Sequence, residues 1–365
     1  MKSSNAKYTI AVLGSHSALE VCFGAKKLGF KTLVIVEKGR DKTYANYYKS
    51  RDGLGIVDEV LELEKFKDVI NQKIQNILQE KNAIFIPHRS FEVYVNDYDA
   101  IENNFTVPMF GNKKLLRAEE RTAKPNQYDI LDKAGITYPK RFEKPEDIDR
   151  LVIVKVSEKE RSFERAFFLA NSFKNYKMQS DVLISDGKIT REALEKAIIE
   201  EFIIGVQVNF NFFYSPIENR LELLGTDTRR QTNLDGILRL PSKHQEAVEE
   251  LVDIKYEEAG HIAVTVLESM LEKAFDLGEK FVASTKEMYA PGVIGPFGLQ
   301  SVITAGPPKK DIVVFDVSPR MPGSPGIAAT PYSGYLFGRP VSMGERVAME
   351  ISDAIEKNKL DAILT

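Results

Sequence analysis

The sequence predicts an α/β protein in which an N-terminal parallel sheet flanked by helices is followed by antiparallel sheets. Three observations carry this. The first hundred residues alternate short apolar runs with helical patterns, the mark of strand–helix–strand units and parallel pairing. Further along, apolar runs lie close together, at 151–156 and 165–170 and again at 203–214 and 221–225, which suits hairpins. Near the C-terminus, Gly295-Pro-Phe-Gly-Leu-Gln300 and Ile312-Val-Val-Phe-Asp-Val-Ser-Pro-Arg320 carry polar groups on alternate residues. That pattern gives a strand pair with one buried and one reactive face.

Residues 8–13 are an apolar strand ending at Gly14-Ser15-His16, and 17–28 the helix that follows. Residues 32–36 form a second strand, 66–80 a helix, and 83–86 a third strand ending at Pro87-His88-Arg89-Ser90. Ligands of parallel sheets collect at the carboxyl ends of strands, where His16 and Ser90 both fall. Gly14-Ser15, opening a helix, also offers free backbone N–H groups to a phosphate. Residues 113–134 read as one or two helices interrupted near Pro125. The strand 151–156 carries Lys155 near its end and pairs with 165–170; 203–214 and 221–225 add antiparallel strands. Residues 261–286 are expected as one long helix and 341–357 as the last. No repeat or Pro/Gly linker divides the chain, so its parts pack closely, with the chemistry expected between them. The expected units are 1–110, 111–190 and 191–365.

At 365 residues the chain suits two or three subdomains. Its 43% hydrophobic and 28% charged residues describe an ordinary soluble protein. A net charge of −3 argues against a nucleic-acid partner. The single Cys22 excludes an internal disulfide and a cysteine-based zinc site, and points to a reducing compartment. No apolar run approaches membrane-spanning length and no signal-peptide pattern opens the chain, so a cytoplasmic protein without a membrane partner is expected. The four histidines are scattered, without HExxH spacing.

Gln300 and Asp316 would present an amide oxygen and a carboxylate on adjacent strands, a set that suits Mg²⁺ shared with substrate phosphates, with Arg320 supplying a cation beside them. An ordinary hairpin with one solvated face reads the same way. Lys155 sits in Val152-Ile-Val-Lys-Val156, where a buried ammonium is costly unless it meets an anion; the alternative is an edge-strand lysine reaching water. Ile199-Glu-Glu-Phe-Ile-Ile-Gly205 brings an acidic pair into a β-run. It can offer backbone groups to an adenine edge and a carboxylate to a ribose hydroxyl, or be a plain acidic helix end before a strand.

The order of these pieces resembles the ATP-grasp superfamily: a Rossmann-like start, a lysine strand, a Glu-Glu-apolar-Gly strand and a metal-binding hairpin. Gly14-Ser-His-Ser-Ala-Leu19, Lys38-Gly-Arg-Asp41, Pro87-His-Arg-Ser-Phe91 and Val107-Pro-Met-Phe-Gly-Asn112 narrow the likeness. Glu222-Leu-Leu-Gly225, Asn233-Leu-Asp-Gly236 and Gly295-Pro-Phe-Gly-Leu-Gln300 extend it over nearly the whole chain. Together they resemble the archaeal formate-dependent FAICAR synthetases of purine and IMP biosynthesis. The resemblance implies a ligase that joins formate to the amine of AICAR through formyl phosphate, using ATP and Mg²⁺ or Mn²⁺, in a homo-oligomer of hexameric type. It implies AICAR contacts at His16, Ser90 and Asn233, ATP contacts at Lys155 and Glu201, which Arg320 would join as the cation beside the phosphates, and metal positions at Gln300 and Asp316. The chain departs from the family after the lysine strand. Where the family has a glycine- and arginine-rich loop over the phosphates, it reads Ser157-Glu-Lys-Glu-Arg-Ser-Phe-Glu-Arg165, without glycine. Arg161 and Arg165 would there contact phosphates through bidentate guanidinium groups. Arg89 replaces a small residue beside Ser90. These departures leave two other readings: an ATP-grasp carboxylate–amine ligase with another substrate, and a nucleotide-binding relative without turnover.

Overall fold

In the computed structural model, which describes residues 2–121, 123–156, 167–249, 251–252, 258–306 and 309–365, the apolar run near the N-terminus becomes the strand Thr9–Leu13 (β1), with all five residues buried. A strand covered on both faces has no polar side to alternate with. It pairs in parallel with Lys31–Glu37 (β2) and Ala83–Phe85 (β4), while Glu59–Leu63 (β3) lies on the outside of β2. The order is β3-β2-β1-β4. Little in the sequence marks β3, because two of the five residues in its run Glu-Val-Leu-Glu-Leu are charged and only one is buried.

Two helices from opposite ends of the chain cover one face of this sheet. Helix Ala18–Lys27 crosses the C-terminal helix Met343–Glu356 where Gly24 meets Gly344, so closely that a Cβ on Gly24 would lie 2.2 Å from the Gly344 carbonyl. Glu20, buried in the crossing, accepts the Met343 and Gly344 N–H groups at 3.0 and 3.4 Å and so caps the partner helix. On the other side of that helix, the guanidinium of Arg346 lies on Glu222, Nε to Oε2 2.6 Å, and on Glu350, Nη2 to Oε2 2.9 Å. The motif glutamate at 222 is therefore a tie between the strand Arg220–Gln231 and the last helix.

The second sheet is small and antiparallel, order β5-β8-β6-β7, from Arg141–Phe142 (β5), Val152–Lys155 (β6), Phe167–Ala170 (β7) and Ile198–Glu201 (β8). β6 is interior, between β8 and β7, which removes the edge-strand reading of Lys155. The third sheet is the largest, order β11-β10-β9-β12-β13, from Val206–Ser215 (β9), Arg220–Gln231 (β10), Glu258–Val264 (β11), Gly295–Thr304 (β12) and Asp311–Ser318 (β13). Its apolar face packs against helix Leu271–Met288, with Phe210, Phe212, Phe281 and Phe297 buried between them.

Two expected helices need correction. The single helix over 261–286 is instead β11 followed, after a turn, by Leu271–Met288. Residues 258–264 form the outer strand on β10, His261 opposite Arg229, since a run with Gly260 and β-branched residues gains more from an open sheet edge than from a helical turn. The helix over 66–80 divides at Asn71, whose ψ of 134° is extended, into Phe66–Ile70 and Gln72–Glu80.

Candidate active site

The site is built where the carboxyl ends of the parallel strands meet the polar face of the large sheet. β1 ends at Leu13, and after Gly14 and Ser15 the chain places His16 in the left-handed region, φ 50°, a conformation that costs a non-glycine residue energy and collects at functional positions. Its ring is deeply surrounded yet exposed to the crevice. It stacks on His88, ring centroids 5.3 Å apart. The surrounding protein, and then the charge of Arg320, hold the His16 imidazole far below its usual pKa, so it is neutral. His88 is fixed: its Nε2–H donates to the Leu13 carbonyl at 3.0 Å, and its Nδ1 accepts from Ser90 N–H at 3.2 Å. That second bond caps helix Arg89–Val95 and places Ser90 in its first turn beside the crevice.

Arg320, just past β13, is buried and held by carboxylates from distant parts of the chain. Glu119 accepts Nη2–H at 2.8 Å and Nε–H at 3.2 Å, and Glu92 lies 3.4 Å from Nε. Arg89 touches the same group, 3.3 Å from Glu119, 3.3 Å from Glu92 and 3.4 Å from Glu120. Burial, reinforced by Glu119, raises the Glu92 carboxyl to about 8. Three acids thus share two arginines, and Arg320 is positioned rather than loose.

The large sheet contributes one row of side chains across four strands. Asp227 on β10 stands opposite Asn209 on β9, Asn209 opposite Gln300 on β12, and Gln300 opposite Asp316 on β13. Register places all four on one face. Asp227 accepts from Asn209 at 2.9 Å, from Asn211 at 2.6 Å, and from His261. Burial opposes charge on His261, but hydrogen bonds to Asp227 and Glu258 outweigh it and raise its pKa to about 9. Gln300 accepts from Arg229 at 2.7 Å and donates to Ser318 at 3.1 Å; Asp316 accepts from Arg121 at 2.9 Å.

From the small sheet, Lys155 Nζ reaches Glu200 Oε2 at 2.5 Å, and Tyr128 donates to the other oxygen of Glu200. Burial raises the Glu200 carboxyl to about 7, with Arg121 drawing it down and Asp316 pushing it up. Lys155, Glu200, Arg121 and Asp316 thereby form one charged path from the small sheet to the row on the large one. Glu201 lies at the end of β8, accepting from Arg150 at 3.2 Å and from the Lys140 N–H at 3.3 Å. Asn233 is in helix Thr232–Ile237, and its side chain lies outside the described part of the molecule, as do Arg161 and Arg165.

Among the described residues no cluster of three His, Cys, Asp or Glu groups could hold a metal by itself. The row nevertheless fits Mg²⁺ shared with phosphates. It offers the Gln300 amide oxygen and the Asp316 carboxylate, and beside them Asn209 Oδ1, buried without a hydrogen-bond partner among the described residues. Few protein oxygens and several from substrate is the usual magnesium arrangement. Asn209, Asn211, Asp227, Arg121, Arg229 and His88 were not singled out in the sequence. A signal existed for two: Asn209 and Asn211 alternate with Val208, Phe210 and Phe212 along a strand, and buried amides there are costly without purpose.

A parallel α/β layer, a small antiparallel sheet bearing a paired lysine, and a large antiparallel sheet bearing an oxygen row define an ATP-grasp protein. An N5-carboxyaminoimidazole ribonucleotide synthetase solved as its ADP complex shares this fold at 12% identity, TM-score 0.59, over 88% of this chain and 72% of that one. The nearer likeness is more specific. An IMP biosynthesis protein PurP from Thermococcus kodakaraensis is 30% identical over 98% of this chain and 100% of its own, TM-score 0.72. The 5-formaminoimidazole-4-carboxamide-1-(beta)-D-ribofuranosyl 5'-monophosphate synthetase of Methanopyrus kandleri is 38% identical over 357 residues, 98% of this chain and 95% of that one. Residues 10–142 match a family described as a protein of unknown function (DUF1246), and 175–365 one described as a domain of unknown function (DUF1297). The chain belongs to the family of these formaminoimidazole carboxamide ribonucleotide synthetases.

Proposed function

We propose that the protein ligates formate to the exocyclic amine of AICAR, converting ATP to ADP and phosphate and yielding FAICAR, a late step of IMP biosynthesis. What supports this reading is membership of that family together with the link from His16 to the Asp227–Asn209–Gln300–Asp316 row, through Gly323 against the His16 ring, Ser324 on His261 and His261 on Asp227. Formate cannot acylate an amine directly, because oxide is an impossible leaving group at neutral pH. Phosphoryl transfer from ATP to a formate oxygen gives formyl phosphate. The amine then attacks its carbon, phosphate leaves, and the nitrogen loses one proton.

The protein's share is positioning and charge neutralisation. Lys155 and Arg320 would hold phosphate oxygens as charge spreads during transfer, with Arg121 close by on Asp316. Gln300, Asp316 and Asn209 would hold Mg²⁺ or Mn²⁺, which when bound offsets the triphosphate charge. Glu201 would meet ATP, and His16, Ser90 and Asn233 would hold AICAR. Arg161 and Arg165 would close on the phosphates. The units 1–110, 111–190 and 191–365, a cytoplasmic location and a homo-oligomer of hexameric type belong to the same reading. No helix among the described residues is long and apolar enough to cross a membrane.

Purified protein mixed with ATP, Mg²⁺, formate and AICAR should give FAICAR and ADP in equal amounts, followed chromatographically. ATP binding without any product would overturn the proposal. The glycine-free stretch 157–165 favours a second reading, a relative with another acid or amine substrate; ADP release across a panel of both decides between them.

A further inference from the structure

Ser17 occupies the N-cap of helix Ala18–Lys27 but makes no capping hydrogen bond with its side chain. Its buried hydroxyl is used elsewhere. Oγ donates to the Pro322 carbonyl at 2.5 Å and lies 2.6 Å from Nδ1 of His16. A hydroxyl has one proton, and a carbonyl only accepts. With that proton committed to Pro322, the contact to His16 requires Nδ1 to carry the hydrogen. The neighbouring His88 has the opposite arrangement: its Nδ1 accepts from a backbone N–H and its Nε2 donates to Leu13. The two stacked rings therefore differ in which nitrogen is protonated.

On His16 the remaining nitrogen, Nε2, is left as an acceptor, since the surrounding protein and the charges of Arg320, His88, His261 and Arg89 disfavour a second proton. A glycine keeps it uncovered. A Cβ on Gly323 would stand 2.7 Å from Nε2. The same short segment is pinned on its far side, where Ser324 Oγ lies 3.1 Å from Nδ1 of His261. Pro322-Gly323-Ser324 thus spans from the first domain to β11, touching a histidine on each side.

We propose that Ser17 is a positioning residue that fixes His16 as the Nδ1–H tautomer, so that Nε2 presents a lone pair to a donor group of the substrate. Under the ligase reading above, on which this rests, that donor is the amine of the aminoimidazole carboxamide. Donating one N–H to Nε2 orients the amine for attack. A histidine of the other tautomer would offer a second donor where the amine needs an acceptor, the kind of mismatch that costs enzymes heavily.

The tautomer is measurable without activity. The chain has four histidines, so ¹⁵N-histidine solid-state NMR, assigned with single histidine variants, resolves each ring. His16 is expected to show protonated Nδ1 and bare Nε2, and Ser17→Ala to shift it toward the Nε2–H form. KM for AICAR should then rise roughly 10- to 100-fold with KM for ATP unchanged. Gly323→Ala covers Nε2 without disturbing Nδ1, so it should raise KM for AICAR with the His16 spectrum intact. It decides the matter if Ser17→Ala does not fold. A wild-type His16 protonated at Nε2, or a Gly323→Ala enzyme with unchanged KM, would overturn the proposal. Should AICAR prove not to be a substrate, the ligase reading falls while the spectrum still decides the tautomer.

Discussion

Lys155 and Glu200 face each other diagonally across two neighbouring interior strands, Nζ to Oε2 2.5 Å, with the side chains 15% and 2% exposed. A lysine so placed needs an anion, and in the unliganded protein Glu200 is part of its answer. Removing either partner alone leaves the other charge buried with less compensation, which typically costs about 3–5 kcal/mol. Lys155→Met and Glu200→Gln are therefore each expected to lower stability in urea melts, and the double variant to regain much of the loss. ATP affinity by calorimetry should stay reduced in both variants lacking the lysine. A double variant as unstable as the sum of the singles would show that the pair is not coupled.

Asp316→Ala should abolish turnover and leave the fold intact, at some cost in melting temperature. It removes the one carboxylate proposed for the metal, leaving Arg121 without its 2.9 Å partner. Gln300→Ala should be milder, and Gln300→Glu should tighten metal binding. Full activity of Asp316→Ala at limiting Mg²⁺ would move the metal away from this hairpin.

His16→Ala should raise KM for AICAR roughly 10- to 1000-fold, as for loss of one buried polar contact and its orienting effect, with ATP affinity unchanged. A purely structural histidine predicts instead a lower melting temperature with normal kinetics. Both quantities are to be measured on the same variant.

His261 sets a pH dependence. Its folded pKa of about 9 lies above the ordinary 6.5, so the stability it contributes is fully present below pH 6.5 and is lost as pH rises through 9. Asp227 and Glu258 are both held below their usual values and act at the acid end instead. Wild type should lose at most about 3 kcal/mol between pH 6.5 and 9.5 from this source. In His261→Gln that loss should shrink. Equal slopes for the two proteins in urea melts across this range would contradict it.

Gly24→Ala should destabilise by about 1–3 kcal/mol, because the new Cβ meets the Gly344 carbonyl at 2.2 Å and neither backbone can easily yield. A thermal melt within a degree of wild type would mean that the two helices separate freely.

The parallel layer was legible because a strand covered on both faces must be apolar where it is covered, as 10–13 of β1 and 33–36 of β2 are. The Gln300–Asp316 pairing was legible because polar groups on alternate residues of two adjacent runs leave little choice of register. His16 and Ser90 could be placed at strand ends by chain order alone. The partners of these residues were not legible, since they come from distant segments: Glu119 lies 201 residues from the Arg320 it holds, Arg121 195 from Asp316, and Ser17 305 from the Pro322 carbonyl. The strand β11 was read as helix for the same reason, because only β10 beside it offers the backbone groups that make extension the better state. Periodicity and residue chemistry are local properties, and by themselves they determined which segments are strands and which side chains are too costly to bury idly. Which arginine meets which carboxylate, and which nitrogen of His16 keeps its proton, depends on contacts that exist only once the sheets have packed together.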